Sequence, residues 1–185
     1  DEVGRLAESF LFMDAKLREN ITRLMRETSA RERFESELNI ARDIQLGLLP
    51  VPLESHTRSL VDLTAVMQPA KEVGGDLYDY FILPDGRLCL AIGDVSDKGV
   101  PAALFMAVTR TLIRATAEDE TDPALILQKI NNRLSENNPN MMFVTLLLGV
   151  LDLHTGELTW ANAGHLPPAV IGLDGEVRLL EGRSG

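Results

Sequence analysis

The sequence predicts an α+β fold: one long helix, then a domain in which sheet packs on sheet with helices outside. Three observations carry this. No proline precedes Pro50, the only early glycine is Gly4, and the apolar residues of this stretch recur in steps of four and three. Later runs such as Phe143-Val144-Thr145-Leu146-Leu147-Leu148 are apolar nearly throughout, so both faces of their sheet must be covered. Between the strand-like runs lie two helix starts, one near Gly99-Val100-Pro101 and one at Asp122-Pro123. Layers of this kind close around one core.

Residues 1 to about 49 read as a helix with a heptad seam at Leu6, Phe10, Met13, Leu17, Asn20, Leu24, Glu27, Arg31, Phe34, Leu38, Ala41, Gln45 and Leu48. The seam is apolar at both ends and polar at Asn20, Glu27 and Arg31, which suits a coil that shifts or loosens. A single amphipathic helix lying on its own domain is the alternative. A parallel homodimer is the favoured reading, because the helix is too long for a small domain to cover. Pro50-Val51-Pro52 ends it, and residues 50–185 form the second domain. A polar stretch, Glu54 to Ser59, leads into strands expected at Leu60–Met67, Asp76–Leu83 and Arg87–Asp94. The next helix runs from Ala102 to about Ala117, with Leu104, Phe105, Val108, Leu112 and Ala115 on one side. The second carries Leu125, Ile126, Leu127, Ile130 and Leu134. Strands resume at Met142–Leu153, Glu157–Ala163 and Pro168–Ile171, with a short last one after Asp174-Gly175. His154-Thr155-Gly156-Glu157 and Leu173-Asp174-Gly175-Glu176 read as hairpin turns.

Composition narrows the function. The formal charge is −10, with 28 acidic against 18 basic residues among 185. No basic stripe is available to neutralise phosphates, which argues against nucleic acid as a partner. An anionic substrate would be repelled unless bound cations reverse the local field. Cys89 is the only cysteine and lies in the apolar run Leu88-Cys89-Leu90-Ala91-Ile92, so no disulfide forms within the chain. A reducing, cytoplasmic setting and a buried, inert thiol follow. No stretch approaches the ~20 apolar residues that span a bilayer. The chain opens on Asp1-Glu2 without a methionine, which suggests part of something longer.

The most informative segment is Gly74-Gly75-Asp76-Leu77-Tyr78-Asp79 with Pro84-Asp85-Gly86 and Gly93-Asp94. Pro-Asp-Gly suits a three-residue hairpin loop, with Gly86 at the left-handed bulge position. Such a loop pairs Leu83 with Arg87, and counting outward sets Asp76 opposite Asp94. Cβ atoms of opposed residues lie about 5 Å apart, and like charges there repel. A hard divalent cation between the two carboxylates would relieve that. Aspartates at strand ends also cap turns, and a two-residue loop would leave Asp76 diagonal to Asp94 on the other face. Gly74-Gly75 and Gly93 suit close backbone approach.

The runs Gly74–Asp79, Gly93-Asp94-Val95-Ser96-Asp97-Lys98-Gly99-Val100-Pro101-Ala102-Ala103-Leu104-Phe105-Met106 and Asn162-Ala163-Gly164-His165 resemble the SpoIIE/RsbU-type branch of the metal-dependent PPM (protein phosphatase 2C-like) serine/threonine phosphatases. Glu37–Pro50 is similar to the helical linker these enzymes carry, and Asp1–Leu6 with Phe10, Met13 and Leu17 is similar to the second helix of a HAMP module. The resemblance implies an α-β-β-α sandwich with a metal pair at one end. It assigns Asp76, Asp94 and the main-chain carbonyl of Val95 as ligands to Mn²⁺ or Mg²⁺. It implies phosphoserine or phosphothreonine hydrolysis by cation-activated water, on phosphorylated STAS-domain antagonists of anti-sigma factors. An intact protein anchored in the inner membrane upstream of residue 1, with this part in the cytoplasm, is the matching expectation.

The family completes its metal site with aspartates beyond the motifs present here, and Asp152 and Asp174 do not match them. The sandwich is therefore expected to be incomplete. Asp79, offset by three from Asp76, should point to the opposite face as a structural residue. His165 suits either proton donation to a leaving alkoxide or, with Asn162, locking the turn before Leu166. Lys98 reads as a solvated loop lysine or a phosphate contact, and Asp97 stands where many relatives carry glycine. Two rival functions remain: a non-catalytic dimeric signalling relay, and a diguanylate cyclase. The cyclase signature places Gly-Gly in the turn and an acidic residue after Asp, whereas Leu77 follows Asp76 here.

Overall fold

The computed structural model describes residues 2–68, 72–136 and 138–180. The chain divides into two compact units, the first ending at Ala41 and the second beginning at Arg42. Helix α1 runs Glu2–Gly47. In the first unit its apolar seam faces solvent: Leu6, Phe10, Met13, Leu17, Leu24 and Phe34 are each more than half exposed. Two polar seam positions are engaged along the helix itself. Arg31 lies 2.7 Å from Glu35 and Arg23 lies 3.8 Å from Glu27, both at i,i+4 spacing. Beyond Gly47 the amides of Leu48 and Leu49 donate back to Ile44, Gln45 and Leu46, closing the helix ahead of Pro50.

The second unit is built on a four-stranded antiparallel meander, β1 (Leu77–Ile82), β2 (Leu88–Val95), β3 (Val144–Leu151) and β4 (Leu158–Ala163), in that spatial order. Strands β5 (Ala169–Ile171) and β6 (Val177–Leu179) pair as a separate ribbon. The turns expected from Gly156 and Gly175 form, each glycine in the left-handed region at φ 75° and 80°. Between the strands lie α3 (Val100–Ala117) and α4 (Pro123–Glu136). Asp122 caps α4, its carboxylate accepting from the amides of Ala124 at 2.8 Å and Leu125 at 3.3 Å. The class is α+β, as the sequence predicts.

Two expectations change. Residues 61–68 form no strand ladder among the described residues, although Leu60–Met67 alternates like one. An alternating run becomes a strand only where a neighbour offers backbone partners; here Leu63, Thr64 and Ala65 lie along an apolar groove instead. The polar stretch before it holds a single helical turn, α2 (Ser55–Arg58). The inward face of α3 also differs from the expected side. Ala102, Met106, Thr109 and Ile113 are buried, while Leu104 and Val108 are mostly exposed. Both sides of this helix are apolar, so periodicity alone does not choose between them.

Charge makes the choice. Asp79, on the inward face of β1, has a fully buried side chain. Arg114 grips it bidentately, Nε to Oδ2 and Nη2 to Oδ1, both at 2.7 Å, and Arg110 approaches at 3.1 Å. Arg114 also sits 4.6 Å above the Phe81 ring. A buried carboxylate without such partners is very costly, so α3 turns Arg110 and Arg114 toward β1. The core beneath holds Leu77, Cys89, Ala91, Val95, Leu146 and Leu148. Burial pushes the Cys89 thiol up to about 12, which keeps it protonated and unreactive at neutral pH.

The opposite sheet face carries Tyr78, Tyr80, Leu90, Ile92, Leu147 and Trp160 around a groove of about 240 Å³. The described residues of the second unit thus form one helix layer, α3 and α4, against a four-stranded sheet. Asp79→Ala should strip two arginines of their buried partner and lower unfolding free energy by about 3 kcal/mol, measured by urea titration. A change below about 0.5 kcal/mol, the size typical of a surface substitution, would mean the clasp contributes nothing to stability.

Candidate functional site

Turn chemistry fixes the geometry. The Leu83 amide donates to the Arg87 carbonyl at 2.8 Å, and the Gly86 amide donates to the Leu83 carbonyl at 2.9 Å. Gly86 takes φ 87°, and Asp85 holds Arg87 through its side chain at 2.6 Å. From this closure the register runs Ile82–Leu88, Tyr80–Leu90 and Leu77–Gly93. One step further sets Asp76 opposite Asp94, at the exposed end of the face that carries Tyr78 and Ile92. Partial burial, then the Asp94 carboxylate beside it, hold the Asp76 carboxyl above the ordinary aspartate range, and nearby His165 partly offsets this.

The row continues across the sheet. Asp94 is paired with Thr145 on β3. The Thr145 hydroxyl lies 2.9 Å from His165 Nδ1 and 3.3 Å from the Asp94 carbonyl. Asn162 fixes the backbone of His165 from both sides, accepting from its amide at 2.8 Å and donating to its carbonyl at 2.9 Å. Asn162 thus locks the turn, and the imidazole lies near enough to Asp76 to act on its charge. Thr145 was not legible as a site residue, because it lies inside an apolar run.

Val95 is buried in the core, and its carbonyl faces Gly75. A Cβ on Gly75 would meet the Val95 oxygen at 2.9 Å and Val95 Cβ at 2.9 Å, so only glycine lets the two segments approach this closely. Gly93 has the same role toward β3, where a Cβ would stand 2.7 Å from the Thr145 oxygen. Asp97 and Lys98 are exposed, and Asp97 adopts φ 75°. That left-handed backbone explains why glycine suits position 97. Asp79 points away into the ion triad, as expected.

The donors are hard: two carboxylates and a main-chain carbonyl, with like charge concentrated on the first two. That chemistry fits a small divalent cation. Among the described residues no group of three or more Asp, Glu, His or Cys side chains gathers to surround one.

One residue of the expected coil seam belongs here instead. Gln45 is 4% exposed. Its Nε2 donates to the Gly74 carbonyl at 2.7 Å, and the Gly74 amide donates to its Oε1 at 3.2 Å. A heptad count marks Gln45 as one more polar seam position, so its partner was not visible in the sequence.

The fold is that of a protein phosphatase 2C-like domain. A solved structure of the SiaA-PP2C domain of Pseudomonas aeruginosa matches it at TM-score 0.66 and 26% identity, over 84% of this chain and 63% of that one. Over residues 84–185 the chain matches the family described as Stage II sporulation protein E (SpoIIE), and it belongs to that family. Protein IcfG of Synechocystis sp. is 32% identical over 202 residues, covering 95% of this chain and 31% of IcfG. Phosphoserine phosphatase RsbU of Bacillus subtilis is 32% identical over 138 residues, covering 74% of this chain and 40% of RsbU. The chain therefore spans less than half the length of these two relatives.

Asp94→Asn should raise the melting temperature of the metal-free protein, because it removes one charge of an opposed like pair. Differential scanning calorimetry in chelator checks this; a lower melting temperature would show that the pair does not repel.

Proposed function

We propose that the intact protein is a metal-dependent phosphoserine/phosphothreonine protein phosphatase of bacterial signalling. The observation that carries the reading is the facing pair Asp76 and Asp94 at the end of a PP2C-like sheet. Asp76, Asp94 and the Val95 carbonyl would hold Mn²⁺ or Mg²⁺, completed by ligands from outside the described residues. When bound, such a cation pair supplies activated water and neutralises phosphoryl charge. The protein's own part is placement. Strand pairing holds Asp94 in register, Gly75 admits the Val95 carbonyl, and Asn162 fixes the backbone of His165, whose Nδ1 meets the Thr145 hydroxyl beside the Asp94 main-chain carbonyl. Since the formal charge is −10, the two aspartates make the site repulsive to a phosphoprotein until cations are loaded.

A phosphorylated STAS-domain antagonist of an anti-sigma factor is the proposed substrate, supported by the resemblance to the RsbU-type branch. Residues 1–49 are proposed to join two copies in a parallel coil, supported by a seam whose apolar members Leu6, Phe10, Met13, Leu17, Leu24 and Phe34 face solvent. They would carry a signal from a HAMP-like module and a membrane anchor upstream. No helix among the described residues is long and apolar enough to cross a membrane. The relay reading draws on the fact that no group of three or more Asp, Glu, His or Cys side chains among the described residues is placed to hold a metal ion.

Two measurements decide. The intact protein should hydrolyse a small chromogenic phosphate ester in Mn²⁺, and Asp94→Asn should reduce the rate by more than a hundredfold. Full activity of that variant at ordinary Mn²⁺ sinks the metal assignment, no hydrolysis at all favours the relay, and turnover of nucleotide favours the cyclase. Light scattering should give twice the chain mass, falling toward monomer when Phe10 and Leu17 become polar. A monomer at high concentration would mean that the seam is not a dimer interface.

A further inference from the structure

The segment that delivers Asp76 lies outside the strand ladder, which begins at Leu77. It is held by other means. Two contacts do this. Gly75 is packed against Val95 and Ala102. One residue earlier, both backbone groups of Gly74 are taken by a single carboxamide, that of Gln45, 29 positions away on the last turns of α1. The pair is shaped like one rung of a β-ladder, with a side chain standing in for a strand. It demands a donor and an acceptor side by side, which a carboxamide provides and a thioether or an ionised carboxylate does not.

The neighbours of Gln45 sharpen the point. Ile44 is 63% exposed and Leu46 is also exposed, so in this turn Gln45 is the residue turned inward. Successive residues are set about 100° apart around a helix. A rotation of α1 by one position would therefore withdraw the carboxamide and leave both groups of Gly74 unpaired.

We propose that Gln45 is a positioning residue for the Asp76–Asp94 site: through Gly74 it holds Asp76 against Asp94, so that the cation affinity of the site depends on the placement of α1. This rests on the metal reading of the two aspartates given above. By thermodynamic reciprocity, a cation that draws Asp76 toward Asp94 tightens the hold of Gly74 on Gln45.

The test uses the intact protein and Mn²⁺. Binding is followed by the loss of the free-ion electron paramagnetic resonance signal, and amide hydrogen exchange is read with and without the ion. In the unaltered protein, Mn²⁺ should slow exchange at residues 42–47 and 72–76 together. Gln45→Met keeps length without the amide, and Gln45→Glu keeps shape without the donor. Each should weaken Mn²⁺ binding about tenfold and lower the metal-free melting temperature, because Gly74 loses its partner, yet regain full kcat at saturating Mn²⁺. Asp94→Asn should not regain it. If Mn²⁺ binds the unaltered protein but leaves exchange at 42–47 unchanged, or if both Gln45 variants bind it equally well, the positioning role is wrong and the site stands. If the unaltered protein binds no Mn²⁺, the site and this role fall together.

Discussion

Everything at the functional end of this domain is counted from one hydrogen-bonded closure, Leu83 to Arg87 around Pro84-Asp85-Gly86. Side chains alternate along a strand, so this closure decides which residues of β1 share a face. Asp76, Tyr78 and Tyr80 fall on the open side, while Leu77 and Asp79 fall on the helix side. A slip of one residue would bury Asp76 among Leu77's neighbours and turn Asp79 away from its arginines. Two unrelated electrostatic demands are met by the same register: a like pair at the exposed end and an opposite-charge clasp inside. The clasp favours this register, and the like pair is carried into place with it.

The two carboxylates are held by different means. Asp94 sits in β2, flanked by β1 and β3, and its backbone shares the ladder that joins it to Thr145. Asp76 stands one residue before an edge strand and leans on glycine contacts and a side-chain amide. One half of the site is thus part of the scaffold, and the other is attached to it. That asymmetry puts the adjustable half nearest the helix that enters the domain.

The sequence showed what is decided locally. The Pro-Asp-Gly loop, the Asp122 cap, the glycine turns at Gly156 and Gly175 and the buried Cys89 all depend on a few neighbouring residues, and all form. What stayed hidden depends on distant partners. Residues 61–68 alternate like a strand, yet alternation does not say whether another strand is there to pair. Helix α3 is apolar on two sides, and only the Asp79 clasp shows which one faces the sheet. Thr145 looks like one more residue of an apolar run until its hydroxyl meets His165. Gln45 fits a heptad count so well that its true partner, a glycine backbone, leaves no trace in spacing.

The Asp79 clasp has a thermal consequence. Charged groups lose hydration free energy as temperature rises, so the penalty for burying Asp79 with Arg110 and Arg114 shrinks on heating. Apolar burial gains little over the same range. The attachment of α3 to β1 should therefore hold relatively better in warmth than contacts made by side-chain packing alone.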